Sequence, residues 1–319
     1  MSVYQSWISV CGVEWEDHWS AHTLAKQSGF TNHIPACETR SLELQKVPVL
    51  WWHPNYWHKA SRRGGFNVVV LHHDHFYLMR EPAIAGAFYL ARRYRKEISK
   101  YGKPIFRLHV GVSEDVPAIY KASKRTVDKE KIWLGFIGGG GSRWRLPDGR
   151  RVGRKGQEDL VEICKLLDPA KFAVTLIGLH WGWLHEQLLA LGWEVFRPRY
   201  SKRGLQYRYL RDVDVYLCLS HIEAGPLPLL ESMSVGIWPV CRDVGIVPEV
   251  ITEGETGKII GYDVEAIASY ISGIRRDFLE AKKEKVKQAA SEWTWARFRE
   301  ELRNGLEWFS ARYDCNASI

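Results

Sequence analysis

Apolar runs of four to seven residues alternate with longer stretches of mixed polarity along most of the chain. In the first third, residues 7–11 and 66–72 read as buried strands. Residues 15–27 read as a helix stopped by Gly29, and 83–100 as an amphipathic helix closed by Gly102. A further strand is expected over 104–109. From Ile132 the pattern sharpens. Strands are expected at 132–137, 172–178, 192–197, 213–219 and 237–241, with helices over 157–167 and from Pro228 onward. Strand and helix in strict alternation predict α/β architecture with parallel sheets and right-handed crossovers.

The stretch 220–236 is the most informative. It runs from an apolar strand through a loop carrying Glu223 into a helix carrying Glu231. A helix N-terminus at the carboxyl end of a strand is where α/β proteins hold phosphorylated ligands, because the first N–H groups of the helix lack intrahelical partners. Two carboxylates could also form a glycosidase pair, which needs a separation of roughly 5 Å or roughly 6.5–9.5 Å. Eight helical steps would place them about 12 Å apart, although a loop-to-helix path shortens that. The surroundings favour a nucleotide sugar. Glu231, one turn into the helix, suits ribose hydroxyls, and Glu223 suits the hydroxyls of the sugar beyond the phosphates.

Glu223-x7-Glu231, the following Ser-Met-Ser-Val-Gly-Ile-Trp-Pro-Val, and the run from Gly245 through Glu249 and Gly254 to Gly257 resemble the donor-binding half of retaining glycosyltransferases of family 4. The resemblance extends from about residue 132 to the end of the chain. It implies a GT-B fold: two Rossmann-like domains with parallel sheets facing across a cleft that takes the nucleotide sugar. The implied domains are a reduced acceptor-side domain at 1–125, a nucleotide-sugar-binding domain at 126–290, and a closing helix at 291–319. Relative to the family, a strand–helix block is missing after the corner formed by Leu108 to Gly111.

The resemblance also assigns roles. His109 is implied to face the donor sugar. Lys155 and an arginine, either Arg143 or Arg154, are implied to neutralise the diphosphate, the arginine being ambiguous because 142–153 looks inserted. Gly12, Gly139, Gly225, Leu227 and Arg197 complete the expected donor contacts, Arg197 at the end of a strand that borders the base. Ala224 and Pro226 stand where glycines are common in the family, and Pro226 removes one N–H donor. A front-face mechanism with retention follows, with no metal, no cofactor and no dedicated protein base. A UDP- or GDP-sugar is the expected donor.

Composition narrows the setting. The chain has 319 residues, enough for two domains of ordinary size, and no apolar run long enough to span a bilayer. The N-terminus lacks the form of a signal peptide. Six dispersed cysteines form no Cys-x-x-Cys pair, and Cys164, Cys218 and Cys241 fall in apolar runs as buried thiols, which fits a reducing cytoplasm. His72, His73, Asp74 and His75 alternate in direction along an extended strand, so few of them could converge on a metal. Asp212-Val-Asp214 reads as a solvated strand start. The net charge of +8, with arginine and lysine clusters at 92–96, 143–155 and 197–211, suits anionic partners. The resemblance implies a glycan or a lipid-linked glycan as acceptor, and the charge makes nucleic acid, such as a modified base in phage-like DNA, the alternative. A non-catalytic nucleotide-sugar-binding module is the remaining reading, and the intact Glu223, Glu231 and Lys155 argue against it.

Overall fold

A computed structural model describes residues 7–11, 19–30, 33–35, 47–53, 66–73, 75–141, 143–146, 148–198 and 205–317. The chain divides into two units, one of Met1–Gly111 with Trp293–Ile319 and one of Val112–Glu292. The first unit therefore closes at Gly111, ahead of the boundary expected at residue 125.

The first unit is built on a six-stranded, wholly parallel sheet. Its strands are β1 (Ile8–Cys11), β2 (His33–Pro35), β3 (Val49–Trp51), β4 (Asn67–Leu71), β5 (Ile84–Tyr89) and β6 (Ile105–Arg107), in the order β2-β1-β3-β4-β5-β6. Helix α1 (Trp19–Gln27) links the first two strands. The helix expected over 83–100 is corrected. Residues 84–89 are β5, and only Arg95–Ser99, here α2, is α-helical in that stretch. β5 is buried along nearly its whole length, and a strand covered on both faces reads as a continuous apolar run that periodicity cannot tell from a buried helix. Within β5, Gly86 leaves room for the Phe309 ring, which an added Cβ would meet at 2.5 Å.

The second unit carries a second six-stranded parallel sheet. Its strands are β7 (Ile132–Ile137), β10 (Phe172–Ile177), β11 (Val195–Phe196), β12 (Val215–Cys218), β13 (Trp238–Arg242) and β14 (Lys258–Ile260). β8 (Arg143–Arg145) and β9 (Arg151–Gly153) form a separate antiparallel hairpin in the stretch that reads as an insertion. The main order is β11-β10-β7-β12-β13-β14. Numbered within the unit this is 3-2-1-4-5-6, the Rossmann order, with its switch point between β7 and β12. The helices are α3 (Asp115–Ala122), α4 (Gln157–Leu166), α5 (Gly182–Ala190), α6 (Leu227–Ser234), α7 (Val247–Val250), α8 (Val264–Ser272) and α9 (Arg276–Ser291).

The Asp212-Val-Asp214 reading is also corrected. Asp212 is fully buried and accepts from the Thr126 N–H and hydroxyl, both at 2.7 Å, and from the Val127 N–H at 3.2 Å. Asp214 takes a two-pronged contact from Arg125, at 2.8 and 2.9 Å, and one from the Trp133 N–H at 2.9 Å. Both carboxylates anchor the segment leading into β7, and the polar pattern that suggested solvent is internal pairing.

The last helix, α10 (Trp295–Ala317), belongs to the first unit. Its Phe309 is buried against Trp7, Phe66, Phe88 and Phe106, with ring centroids 5.4–6.4 Å apart in edge-on geometry. Such edge-to-face contacts match the quadrupoles of the rings. No helix among the described residues is long and apolar enough to cross a membrane.

Candidate active site

At the switch point, two loops leave the carboxyl ends of neighbouring strands. The Gly138–Gly141 loop follows β7, and the loop from Leu219 to Pro226 follows β12. Gly138 and Gly140 donate their N–H groups to Ile177 O and Leu179 O, both at 2.9 Å, which pins the glycine loop to its neighbour. At Gly139 an added Cβ would meet nothing within 4 Å, so this backbone stays open to a close approach. Gln157 donates to Gly140 O at 2.7 Å and holds the loop from the first turn of α4.

Lys155 joins the two loops. Its side chain runs beside Gly138, where a Cβ would lie 3.2 Å from Lys155 Cε. Its ammonium reaches Glu223 Oε1 at 2.5 Å. The same oxygen accepts from Arg154 Nη1 and from the Ser220 hydroxyl, each at 2.9 Å. Arg154 also donates to Ile222 O at 3.2 Å, and its own carbonyl accepts from the His221 N–H at 2.9 Å. Glu223 is 8% exposed. Two cations against one carboxylate leave this cluster net positive. Charges of this kind interact strongly because water is largely excluded.

Arg154 is thus the arginine that stands with Lys155. Arg143 lies on β8, where it donates to Glu158 Oε1 at 2.7 Å and to Arg151 O at 2.8 Å. Glu158 in turn accepts from the Gly153 N–H at 2.9 Å, so this contact ties the hairpin to α4.

Glu231 lies on α6, 8% exposed, and accepts from the Tyr207 hydroxyl at 3.2 Å. Leu227 is the first residue of that helix. Of the first N–H groups of this helix, which the sequence assigns to an anion, Pro228 supplies none and Leu229 donates to Pro226 O at 2.9 Å. Gly225 is half-buried in the loop just before. Behind the loop, Gly245 packs so closely that a Cβ would fall 2.2 Å from Ala224 O, and the Ile246 N–H donates to that oxygen at 2.9 Å.

A second layer was not read from the sequence. Arg242, 1% exposed at the end of β13, donates to Asp159 Oδ2 at 2.8 Å and to Leu219 O. Its guanidinium lies over the Tyr262 ring, 4.3 Å from the centroid, and His221 stacks on Tyr262 with its Nε2 3.4 Å from Asp159. Burial, and then the Arg242 charge, hold the His221 pKa below its ordinary value. The available signal was an arginine directly after the apolar run 238–241, since a buried charge implies a partner.

Other expected residues lie elsewhere. Arg197 is exposed after the edge strand β11, beside α5, where a Cβ on Gly182 would lie 3.9 Å from its Nη1. Gly12 lies outside the described residues, as do Asp74 and the start of the helix expected from residue 15. His109 belongs to the first unit, just after β6. It is 7% exposed and bound by Glu301 and Arg297 of α10. Among the described residues, no group of three or more potential metal ligands converges.

Residues 148–293 match the family model described as glycosyl transferases group 1. An uncharacterized 41.2 kDa protein in the cps region of Klebsiella pneumoniae is 24% identical over 194 residues, 56% of this chain, and the chain spans only 46% of that relative's length. Among solved structures, a glycosyltransferase from Rickettsia africae superposes with a TM-score of 0.68 at 13% identity, covering 96% of this chain and 97% of that one. Anabaena HepE in complex with UDP-glucose gives 0.68 at 11% identity, covering 94% and 99%. S. aureus TarM gives 0.62 at 17% identity, covering 81% of this chain and 54% of its own. The chain has the α/β fold with parallel sheets of the GT-B glycosyltransferases.

Proposed function

We propose that the chain is a retaining glycosyltransferase that moves a sugar from a nucleotide-sugar donor to an acceptor hydroxyl on a glycan or lipid-linked glycan. The observation that carries this reading is the convergence of Lys155, Arg154 and Ser220 on Glu223 at the switch point of the second sheet. A site for a leaving diphosphate needs preorganised positive charge where negative charge develops. The cluster supplies it, beside a glycine loop that backbone or ligand can approach closely.

In this reading Lys155 and Arg154 neutralise the diphosphate, Glu231 holds the ribose and Glu223 a hydroxyl of the transferred sugar. For His109 a role toward the sugar rests on the family resemblance alone. Lys155, Arg154 and Ser220 all converge on Glu223 Oε1, an arrangement that suits a structural and ligand-holding carboxylate better than an acid–base pair of the glycosidase kind. The match to the glycosyl transferase group 1 family model over 148–293, which contains every residue named except His109, supports the same conclusion. So does HepE, a protein of the same fold described in complex with UDP-glucose.

The test is a donor-hydrolysis and transfer assay with UDP-, GDP- and ADP-sugars. Lys155→Ala and Glu231→Ala are each expected to lower turnover by about 100-fold or more, the scale seen when a transition-state charge contact is removed. Their circular dichroism should match the parent chain. Near-parental turnover in both variants rules the assignment out.

A further inference from the structure

Between α4 and α5 the second unit holds a groove of about 250 Å³, lined by none of the residues of the Lys155–Glu223 cluster. α4 presents Glu158, Val161, Glu162 and Lys165 to it, one helical stripe, and α5 presents Trp183 and Gln187, one turn apart. Val161 is buried and gives the groove an apolar floor, whereas Trp183 is 50% exposed. Two positions earlier, Trp181 is 1% exposed, its ring 5.0 Å from that of Phe136 and its N–H donating to Ile177 O at 3.3 Å. The core takes one tryptophan and leaves the other in solvent. His180, with φ +63°, is the one non-glycine residue among those described in the left-handed region, and its turn leads into α5. Among the described residues, neither the Trp183 indole N–H nor the Gln187 amide has a hydrogen-bond partner. Glu162 pairs with Lys165 at 2.7 Å, but both are about half-exposed, so a ligand separates them at little cost. Glu158 is fixed from behind by Arg143 and the Gly153 N–H.

We infer that this groove is a sugar-binding site, separate from the donor site, that takes one pyranose unit of a neutral glycan. A pyranose has an apolar C–H face and a rim of hydroxyls, each of which donates and accepts. The Trp183 ring offers the flat apolar surface, and its indole N–H a donor at the edge. Around it, Glu162 accepts, Lys165 donates, and the Gln187 amide does both. A few placed polar groups around an aromatic surface are the general form of a small-ligand site, and the volume, just under the roughly 300–1,000 Å³ of sites for drug-sized molecules, suits one ring. A nucleic-acid base would stack on the same tryptophan. Its phosphates, however, would meet two carboxylates against one ammonium, a groove that is net negative in a chain of net charge +8. A protein partner buries about 800 Å² on each side, and the other exposed apolar side chains of these helices, Leu166 and Leu189, do not line the groove. The inference uses residues of α4 and α5 alone and does not rest on the transferase reading.

The test is an NMR titration of the full chain carrying nitrogen-labelled tryptophan, the Trp183 indole signal being assigned by its loss in Trp183→Phe. The probes are maltotriose, cellotriose, mannotriose and N-acetylchitotriose, with a single-stranded oligothymidine beside them. At least one trisaccharide should move the Trp183 signal saturably, with a dissociation constant in the millimolar range. By calorimetry, Trp183→Ala should weaken that affinity by about tenfold or more, and Gln187→Ala by about threefold. Leu189→Ala, exposed on the same helix but off the groove, should bind as the parent does. The inference is overturned if no trisaccharide moves the signal, or if Trp183→Ala binds as tightly as the parent. It is equally overturned if oligothymidine alone moves the signal, or if raising the protein concentration does so without sugar. A chain that binds at Trp183 yet transfers no sugar keeps this inference and overturns only the proposed function. A chain that transfers sugar without any response at Trp183 does the reverse.

Discussion

Gly156 occupies a position that no other residue fills cheaply. Its φ of +77° lies in the left-handed region, and a Cβ would fall 2.3 Å from Leu219 O. It sits between Lys155 and α4, so the same turn that starts the helix aims the ammonium at Glu223. Gly156→Ala is expected to cost about 1–3 kcal/mol from backbone strain, before any clash with Leu219 is counted. A urea titration checks this. His221 provides a pH signature. Its folded pKa lies below the unfolded value of 6.5, so as pH falls below 6.5 the unfolded chain takes up a proton that the folded ring refuses. Stability is present above that pH and declines as the pH drops toward the folded pKa. His221→Phe, which keeps a ring on Tyr262, should flatten this part of the stability profile relative to the parent. Residues with local company were legible in the sequence. Glu223, Glu231 and Lys155 stand at fixed offsets from the strand ends and turns that place them. Glu301 was not legible, because it meets His109 across 192 positions of chain and no local pattern encodes such a pair.

At the scale of elements, legibility followed length and burial. Five strands of the second unit's main sheet read as apolar runs, whereas β14, with three residues of which two are only half-buried, did not. β2 and β3 have three residues each and carry too little pattern to be seen. β5 was misread because its buried run flows into the basic stretch 92–96, and together they imitate an amphipathic helix. The β8–β9 hairpin invites a direct test. Arg145 and Arg151 face each other across the antiparallel ladder, both exposed, and among the described residues neither has a carboxylate partner. Like charges directly opposite are unfavourable by about 0.2–1 kcal/mol. Arg151→Glu should therefore raise the urea midpoint slightly, and the gain should fade in high salt as the pair is screened.

At the scale of the molecule, one unit is continuous in sequence and the other is not. The second unit, Val112–Glu292, contains its own sheet, its helices and the Lys155–Glu223 cluster. A fragment of residues 112–292 is expected to fold alone and to unfold cooperatively in urea. Equal far-ultraviolet dichroism before and after adding denaturant would refute that. The first unit depends on Phe309, and Phe309→Ala should cost it about 3–5 kcal/mol, read as an earlier thermal transition. The two Rossmann-like units were legible because crossover rules leave few topologies for alternating elements. The break at Gly111 was not, since nothing in the composition of 111–131 marks it.

The helix that carries Phe309 is made after the sheet it covers and after the whole of the second unit. Domains fold as units during synthesis, usually from the N-terminus. Here that order is inverted. The second unit has all its residues once Glu292 is out, while Phe66, Phe88 and Phe106 still wait for the ring that buries them. The nascent chain thus carries an uncovered aromatic face while the second unit is made, and a product stalled before Trp293 is the species in which a chaperone would find its binding surface.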